Sequence, residues 1–599
     1  MLTKNLILAM APLSILSSCS AEKEESRKPN VIIVMTDDQG YGDLACHGNE
    51  WINTPNLDNL HSQSVRLTDF HVSPTSAPTR AALLTGHYSN RTGVWHTIGG
   101  RSLIKEGEIT LAEVLKDNGY STGIFGKWHL GDNYPFRPQD RGFEEVLIHK
   151  AGGVTQMPDY WDNDYFDDTY YRNGVPEKTE GFCTDVWFNN AMDFMRNSKE
   201  KPFFAYIVPN APHGPFNVAD KYVEPYKDNE LIPNPEFYGL IANFDENVGH
   251  LMEMLDDHEI ADNTILIFLT DNGTAAGAVV GNKSDGFVTK GFNAGMRGKK
   301  SSMYEGGHRV PFYIRWPKGG ISGGSDIDEL TAHVDLMPTL IDMLDLEFDP
   351  NYKFDGESIA NLLTGKVKKK DRMLIVDSQR IQMPEKWRRS SVMSGKWRLV
   401  NGKELYDLST DPGQKTDVSE KHPEKVAEMR KFYEEWWADL SPEFSYYPEI
   451  IIGSDKEKLT MLTSHDIQTE SVAWNQRQVR DGMVTRGKWT LKVEEKGMYR
   501  FALRRWPMEV NAPIVSAIEK RPALEGTSVP ESIPGEALEI NSAVLGIAGL
   551  NEEIPVSAED TEVVFTVELD EGPVNMEAYF TTLENKNLSA YYVYVNKIR

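Results

Sequence analysis

Two apolar runs with matching ends, far apart in the chain, constrain the fold more than any other feature. The first, Asn30-Val31-Ile32-Ile33-Val34-Met35-Thr36, runs into Asp37-Asp38-Gln39-Gly40; the second, Asn263-Thr264-Ile265-Leu266-Ile267-Phe268-Leu269-Thr270, runs into Asp271-Asn272-Gly273. Apolar residues in unbroken succession describe strands buried on both faces, and functional groups collect just past the carboxyl ends of such strands. Taken alone, the first end is better read as a polar turn after a strand. Together the two ends are three carboxylates and one amide, an oxygen-only donor set suited to a hard cation, calcium first and magnesium second.

Between and beyond these runs, strand and helix patterns alternate. Thr122–Gly131 reads as a short strand opening into a loop, Pro202–Val208 as a buried strand, and Val310–Arg315 as another. Pro235–Ile260 places Leu240, Ile241, Phe244, Val248, Leu251, Met252 and Leu255 at amphipathic-helix spacing, and Asp335–Leu344 is also helix-like. Such alternation predicts an α/β fold, a mostly parallel sheet with helices on both faces. From Asp371 the texture changes to short strands (373–376, 397–400, 404–408) and a helix over 423–439. Beyond Ser454 it becomes all-β, with alternating stretches at 489–493, 499–503 and 563–569 that suggest a β-sandwich. Trp474 and Trp506 are candidates to stack on sugar rings, although core packing is the ordinary use of such residues.

At 599 residues the chain exceeds one typical core. The expected division is a signal peptide (1–18), a tether (19–28), a catalytic domain (29–370), a small antiparallel carboxy-terminal subdomain (371–450) and an accessory all-β domain (454–599). The 63 Lys and Arg against 90 Asp and Glu give a net charge of −27, which excludes the bulk phosphate neutralisation of a nucleic-acid binder. An anionic substrate would then need a local concentration of positive charge. A basic start, a short apolar stretch from Leu6 to Leu16 and the end Leu16-Ser17-Ser18-Cys19 describe an export signal, and resemble a bacterial lipobox with Cys19 as the lipidated residue. An exported protein held by a lipid anchor at the outer membrane, cell surface or periplasm is expected. Cys46 and Cys183 give no disulfide framework and are expected to be free.

The stretch Ser73-Pro74-Thr75-Ser76-Ala77-Pro78-Thr79-Arg80-Ala81-Ala82-Leu83-Leu84-Thr85-Gly86 predicts a helix beginning near Ser76, with Pro78 in its first turn. A serine there is either a cap or a nucleophile at an anion site, with Arg80 four residues on. Ser76-Ala77-Pro78-Thr79-Arg80 with Leu84-Thr85-Gly86 resembles the sulfatase signature. The resemblance implies oxidation of Ser76 to formylglycine (3-oxoalanine), one calcium on Asp37, Asp38, Asp271 and Asn272 with Ser76 against it, and the alkaline phosphatase fold. Gly126-Lys127-Trp128-His129 looks like the family motif whose Lys and His reach the formylglycine, and Pro212-His213 like the motif that supplies a sulfate ligand and proton donor. Lys300, aligned by Tyr304-Glu305-Gly306-Gly307 and Arg309-Val310-Pro311, matches the family's sulfate-contacting lysine. Leu405-Tyr406-Asp407-Leu408 resembles the family's carboxy-terminal subdomain, so the likeness covers about residues 28–445.

The chemistry implied is sulfate-ester hydrolysis, in which a hydrated aldehyde supplies a nucleophile and a built-in release of sulfate. Arg80 would hold that group, the cation with Lys127 and Lys300 would neutralise the sulfate, His213 would act as acid and His129 as base, the last two being exchangeable. The expected substrate is a sulfated saccharide of host or algal origin, attacked from its end at galactose, N-acetylgalactosamine or N-acetylglucosamine sulfates. Serine at the oxidised position implies an anaerobic sulfatase-maturating enzyme as partner. His96 and Arg101, shortly after the signature helix, are expected either to line the pocket and contact the sugar or, equally, to belong to a structural loop. Two alternatives stay open: a phosphatase or phosphodiesterase using Ser76 directly, and a catalytically silent glycan-binding lipoprotein.

Overall fold

A computed structural model describes residues 27–198, 200–282, 285–367 and 371–599. The expected signal peptide and Cys19 lie outside the described residues. The central feature is a ten-stranded sheet. Its middle is built from β1 (Asn30–Thr36), β2 (Ser121–Lys127), β3 (Glu145–His149), β4 (Phe203–Val208), β5 (Thr264–Thr270) and β6 (Phe312–Arg315), in the order β6-β5-β1-β4-β2-β3. From β5 to β3 all neighbours are parallel, whereas β6 runs antiparallel to β5. Short antiparallel pairings extend both edges, through Val65–Leu67 beyond β6 and Thr169–Arg172 beyond β3.

The unbroken apolar runs are explained by helices on both faces. Val31, Ile33 and Met35 pack with Ala77, Ala81 and Leu84 of α1 (Ser76–Thr85), while Ile32 and Val34 point the other way. That second face is covered by α2 (Cys183–Asn197) and α3 (Pro235–Asp257) through Trp187, Phe188, Phe244 and Leu251. The α3 start follows from local chemistry: Asn234 accepts the Phe237 N–H at 2.7 Å and Pro235 occupies a position that needs no donor.

Register decides the site. Thr36 pairs with Thr270, so Asp37-Asp38 and Asp271-Asn272 emerge side by side at the carboxyl edge of adjacent strands. The helix α1 begins with Ser76 as its first residue, after an extended Thr75.

Four antiparallel strands (Met373–Asp377, Ser390–Ser394, Trp397–Val400, Glu404–Asp407) form a separate small sheet, covered by the helix Pro423–Leu440. The remainder is a sandwich of a six-stranded and a four-stranded sheet. Its first strand, Ile450–Ile452, pairs with Trp489–Val493, ahead of the point at which the sequence texture changes. Trp506 is fully buried in this region and meets Trp161 edge-on at 5.5 Å, which makes it core, whereas Trp474 remains half-buried. Both Cys46 and Cys183 are free thiols. Among the described residues no helix is long and apolar enough to cross a membrane.

Candidate active site

Ser76 lies at the bottom of a cavity of about 240 Å³ whose wall includes Lys127, His129, His213 and Lys300. The Ser76 hydroxyl donates to Asp37 Oδ1 at 3.0 Å and stands 3.4 Å from Asn272 Oδ1. Lys127 Nζ donates to Asp37 Oδ2 at 2.7 Å, and Lys300 Nζ pairs with Asp38 Oδ1 at 2.5 Å. Arg80 reaches Asp271 Oδ2 and the Lys127 carbonyl, both at 3.0 Å. Asn272 Nδ2 donates to Asp38 Oδ1 at 2.9 Å, and the Asp38 N–H to Asp271 Oδ1 at 3.1 Å. Residues from five segments of the sequence thus meet within one network of hydrogen bonds and ion pairs.

Its electrostatics explain its composition. Burial pushes the Asp37 carboxyl upward, but Lys127 and His213 outweigh it and hold the group below its usual range. Asp38 behaves likewise, with Lys300 and His213 as the opposing charges. Asp271 is instead raised, by burial and by repulsion from Asp37, even with Arg80 against it. Three buried carboxylates against Arg80, Lys127 and Lys300 leave no net charge, so a divalent cation would turn the floor positive and ready for an anion. The donor chemistry fits one: the carboxylates of Asp37, Asp38 and Asp271 and the Asn272 carbonyl are hard oxygen ligands. His213 is a further candidate, since its ring nitrogen and the carboxylates of Asp37 and Asp38 lie within 4.8 Å of one another.

The two histidines differ. His129 Nε2 is 3.0 Å from the Thr97 carbonyl, which fixes the proton on Nε2 and leaves the buried Nδ1 without a partner. Burial, aided by Lys127, keeps this ring well below its usual pKa. His213 Nδ1 faces the Gly214 carbonyl at 2.6 Å, and its Nε2 lies 3.8 Å from Asp38 Oδ2 with the side chain 21% exposed. Burial depresses it as well, but Asp37 and Asp38 pull it back toward the charged form. Asp38 and His129 both adopt positive φ (76° and 65°), which is uncommon outside glycine.

Several wall residues were not legible as site residues. Gly152 stands against His129, and a Cβ there would lie 2.3 Å from the ring. Gln156 follows on the same loop, and Arg380 enters from the small antiparallel region with Ser301 Oγ at 3.1 Å; Trp474, already a candidate from the sequence to stack on a sugar, enters from the β-sandwich. The expectation for Arg101 is corrected. Its guanidinium is buried between Trp95 (4.3 Å) and Tyr447 (3.3 Å) and donates to the carbonyls of Gln382, Phe444 and Tyr446, so it fastens chain segments together and is not among the residues lining the cavity. His96 is not brought into the wall either. Thr97 and Ile98 line the cavity, while His96 Nδ1 accepts the Thr97 N–H at 2.6 Å.

Residues 29–346 match the sulfatase family model. The chain belongs to the sulfatase family. Residues 298–436 of this sulfatase also match the model for the C-terminal part of N-sulphoglucosamine sulphohydrolase, which spans the small antiparallel sheet. Among curated relatives, the N-acetylgalactosamine-6-O-sulfatase of Bacteroides thetaiotaomicron is 27% identical over 537 residues, covering 72% of this chain and 98% of the relative. Arylsulfatase G of Mus musculus is 30% identical over 386 residues, covering 59% and 72% respectively. The solved structure of Ps i-CgsB in complex with k-i-k-neocarrahexaose superimposes with a TM-score of 0.62 at 26% identity, over 71% of this chain and 95% of that one. As a sulfatase the chain is a sulfuric ester hydrolase, and the family implies a bound metal and an oxidised residue at the signature position.

Proposed function

We propose that this sulfatase removes sulfate from sulfated glycans, using a formylglycine made from Ser76 and a calcium ion. The observation that carries the reading is the convergence of Ser76, Asp37, Lys127 and Lys300 on one small cavity. When formed, the oxidised side chain supplies a hydrated aldehyde, which is both nucleophile and release device. Asp37, Asp38, Asp271 and Asn272 would hold the calcium, with Ser76 beside it, and the ion would supply positive charge for the sulfate oxygens.

The rest follows from this chain's own groups. Lys127 and Lys300, each already aimed at a carboxylate of the floor, are placed to draw off charge from the sulfate as it builds. Arg80, locked on Asp271 and the Lys127 carbonyl, positions the start of α1. His129 is suited to the base role, because its Nδ1 lone pair is unengaged and its ring is kept neutral. His213 is suited to protonate the departing sugar oxygen, because it is partly exposed at the mouth and two carboxylates favour its charged form.

A glycan substrate is supported by the relatives: one is an N-acetylgalactosamine-6-O-sulfatase, and one structure holds a neocarrahexaose. We place N-acetylgalactosamine, galactose and N-acetylglucosamine sulfates as the first compounds to test, with attack from the chain end. Maturation by an anaerobic radical enzyme and attachment through Cys19 complete the reading. Sulfate release from defined sulfated monosaccharides and oligosaccharides tests it: protein co-produced with the maturase should desulfate at least one, and Ser76→Ala none. Turnover of phosphate esters without sulfate release would overturn it.

A further inference from the structure

The cavity before Ser76 shares Gln156, His213 and Trp474 with an adjoining cleft of about 470 Å³. One side of this cleft comes from the catalytic core and the other from the β-sandwich. The junction is fixed by backbone. Gln156 and Asn475 form a β-bridge, the Gln476 N–H donates to the Thr155 carbonyl at 3.0 Å, and the Met157 N–H to the Trp474 carbonyl at 2.9 Å. The Trp474 N–H itself donates to Gln478 Oε1 at 2.7 Å. The half-buried Trp474 is therefore held by its backbone between the sulfate pocket and the cleft.

Charge in the cleft is unequally matched. Arg480 binds Asp162 at 2.5 Å, Arg521 forms an ion pair with Asp164, and Glu531 binds Lys520 at 2.7 Å. Arg477 is 74% exposed, and its carboxylate neighbour Asp481 is 3.7 Å away in a largely solvated pair. Its charge is available to an incoming anion.

We propose that the β-sandwich supplies a second sugar position beside the sulfate pocket, with Trp474 stacking on the ring and Arg477 pairing with an acidic group on it. The inference rests on the glycan-sulfatase reading and deepens it: the preferred substrate is an acidic oligosaccharide, rather than a lone sulfated sugar. Flat aromatic faces suit the C–H faces of pyranose rings, and an arginine fork suits a carboxylate or a sulfate.

The test has two arms. In the first, the matured protein is given one sulfated monosaccharide and disaccharides in which the same sugar precedes a neutral, a uronic or a sulfated residue. An acidic disaccharide should exceed the monosaccharide in kcat/KM, and the better acidic partner identifies the anion. Arg477→Gln should reduce that advantage about tenfold, mainly through KM, the scale of one charge-assisted contact. Trp474→Ala should reduce it as well, and Trp474→Phe, which keeps an aromatic face, should restore much of it. In the second arm, calorimetry measures binding of the desulfated acidic disaccharides to protein with unmodified Ser76. Binding that weakens in Arg477→Gln supports the second position even without any sulfate release, whereas a matured protein that releases no sulfate from any compound of the first arm counts against the sulfatase reading alone. Sulfate release with no preference for acidic disaccharides, or binding indifferent to Arg477, overturns the second position and leaves the sulfatase reading standing.

Discussion

Ser76 is the first residue of a helix and the meeting point of two strand ends, which gives its hydroxyl a carboxylate and an amide neighbour, the carboxylate being shared with the Lys127 ammonium. Its context was legible in the sequence because each part is local: an apolar run with an acidic end, a proline in a helix start, a histidine between prolines. Arg101 was misread for the opposite reason. Its partners lie 281 to 345 positions away, and no local pattern announces them. Because it satisfies buried carbonyls, Arg101→Gln should cost about 3 kcal/mol of stability, read by denaturant unfolding, while the KM for substrate stays close to the parent value. Glu305 offers a pH test. Burial would raise its carboxyl, yet Arg398 at 2.7 Å, with His71 and His308 beside it, brings it down to about 2 from an ordinary 4.5. A depressed carboxyl stabilises the fold above its unfolded value and loses that contribution as pH falls toward the folded one. The stability difference between the parent and Glu305→Gln should therefore be full at neutral pH and shrink from about pH 4.5 downward, as followed by thermal unfolding across pH.

At the scale of elements, the loop after β3 carries as much of the site as the signature helix does. Gly152 allows the loop to approach His129, and a methyl group there has no room without displacing the ring. Gly152→Ala should lower kcat by at least about tenfold with little change in global stability, since a misplaced catalytic group is penalised steeply. A matching loss of thermal stability would instead assign the glycine to the fold. Neither this loop nor Arg380 carries a motif; both become site residues only when the sheet order brings β2, β3 and the small antiparallel sheet to one edge. The parallel core was legible because burial on both faces leaves unbroken apolar runs. The antiparallel direction of β6 was not, since a short buried strand reads the same both ways.

Across the whole molecule, an acidic chain of net charge −27 concentrates Arg80, Lys127, Lys300 and Arg380 around one cavity. The β-sandwich is tied into that arrangement rather than appended beside it. Met157 and Trp161 of the catalytic region pack in one apolar cluster with Ala473, Val479 and Trp506 of the sandwich, and the Tyr592 hydroxyl donates to the Met157 carbonyl at 3.1 Å. Calorimetric unfolding should accordingly show catalytic core and sandwich melting together, and a chain ending at residue 449 should expose this apolar face and lose solubility. Two resolved transitions with an unchanged first midpoint would mean that the sandwich folds and acts separately.

Whether Ser76 works in oxidised form at a sulfate-hydrolysing centre is read directly from the mass of the tryptic peptide Leu67–Arg80, taken from protein co-produced with an anaerobic sulfatase-maturating enzyme. A peptide lighter by two hydrogens is expected, in a fraction that tracks sulfate release from preparation to preparation. Unmodified Ser76 in a preparation of full activity would contradict it.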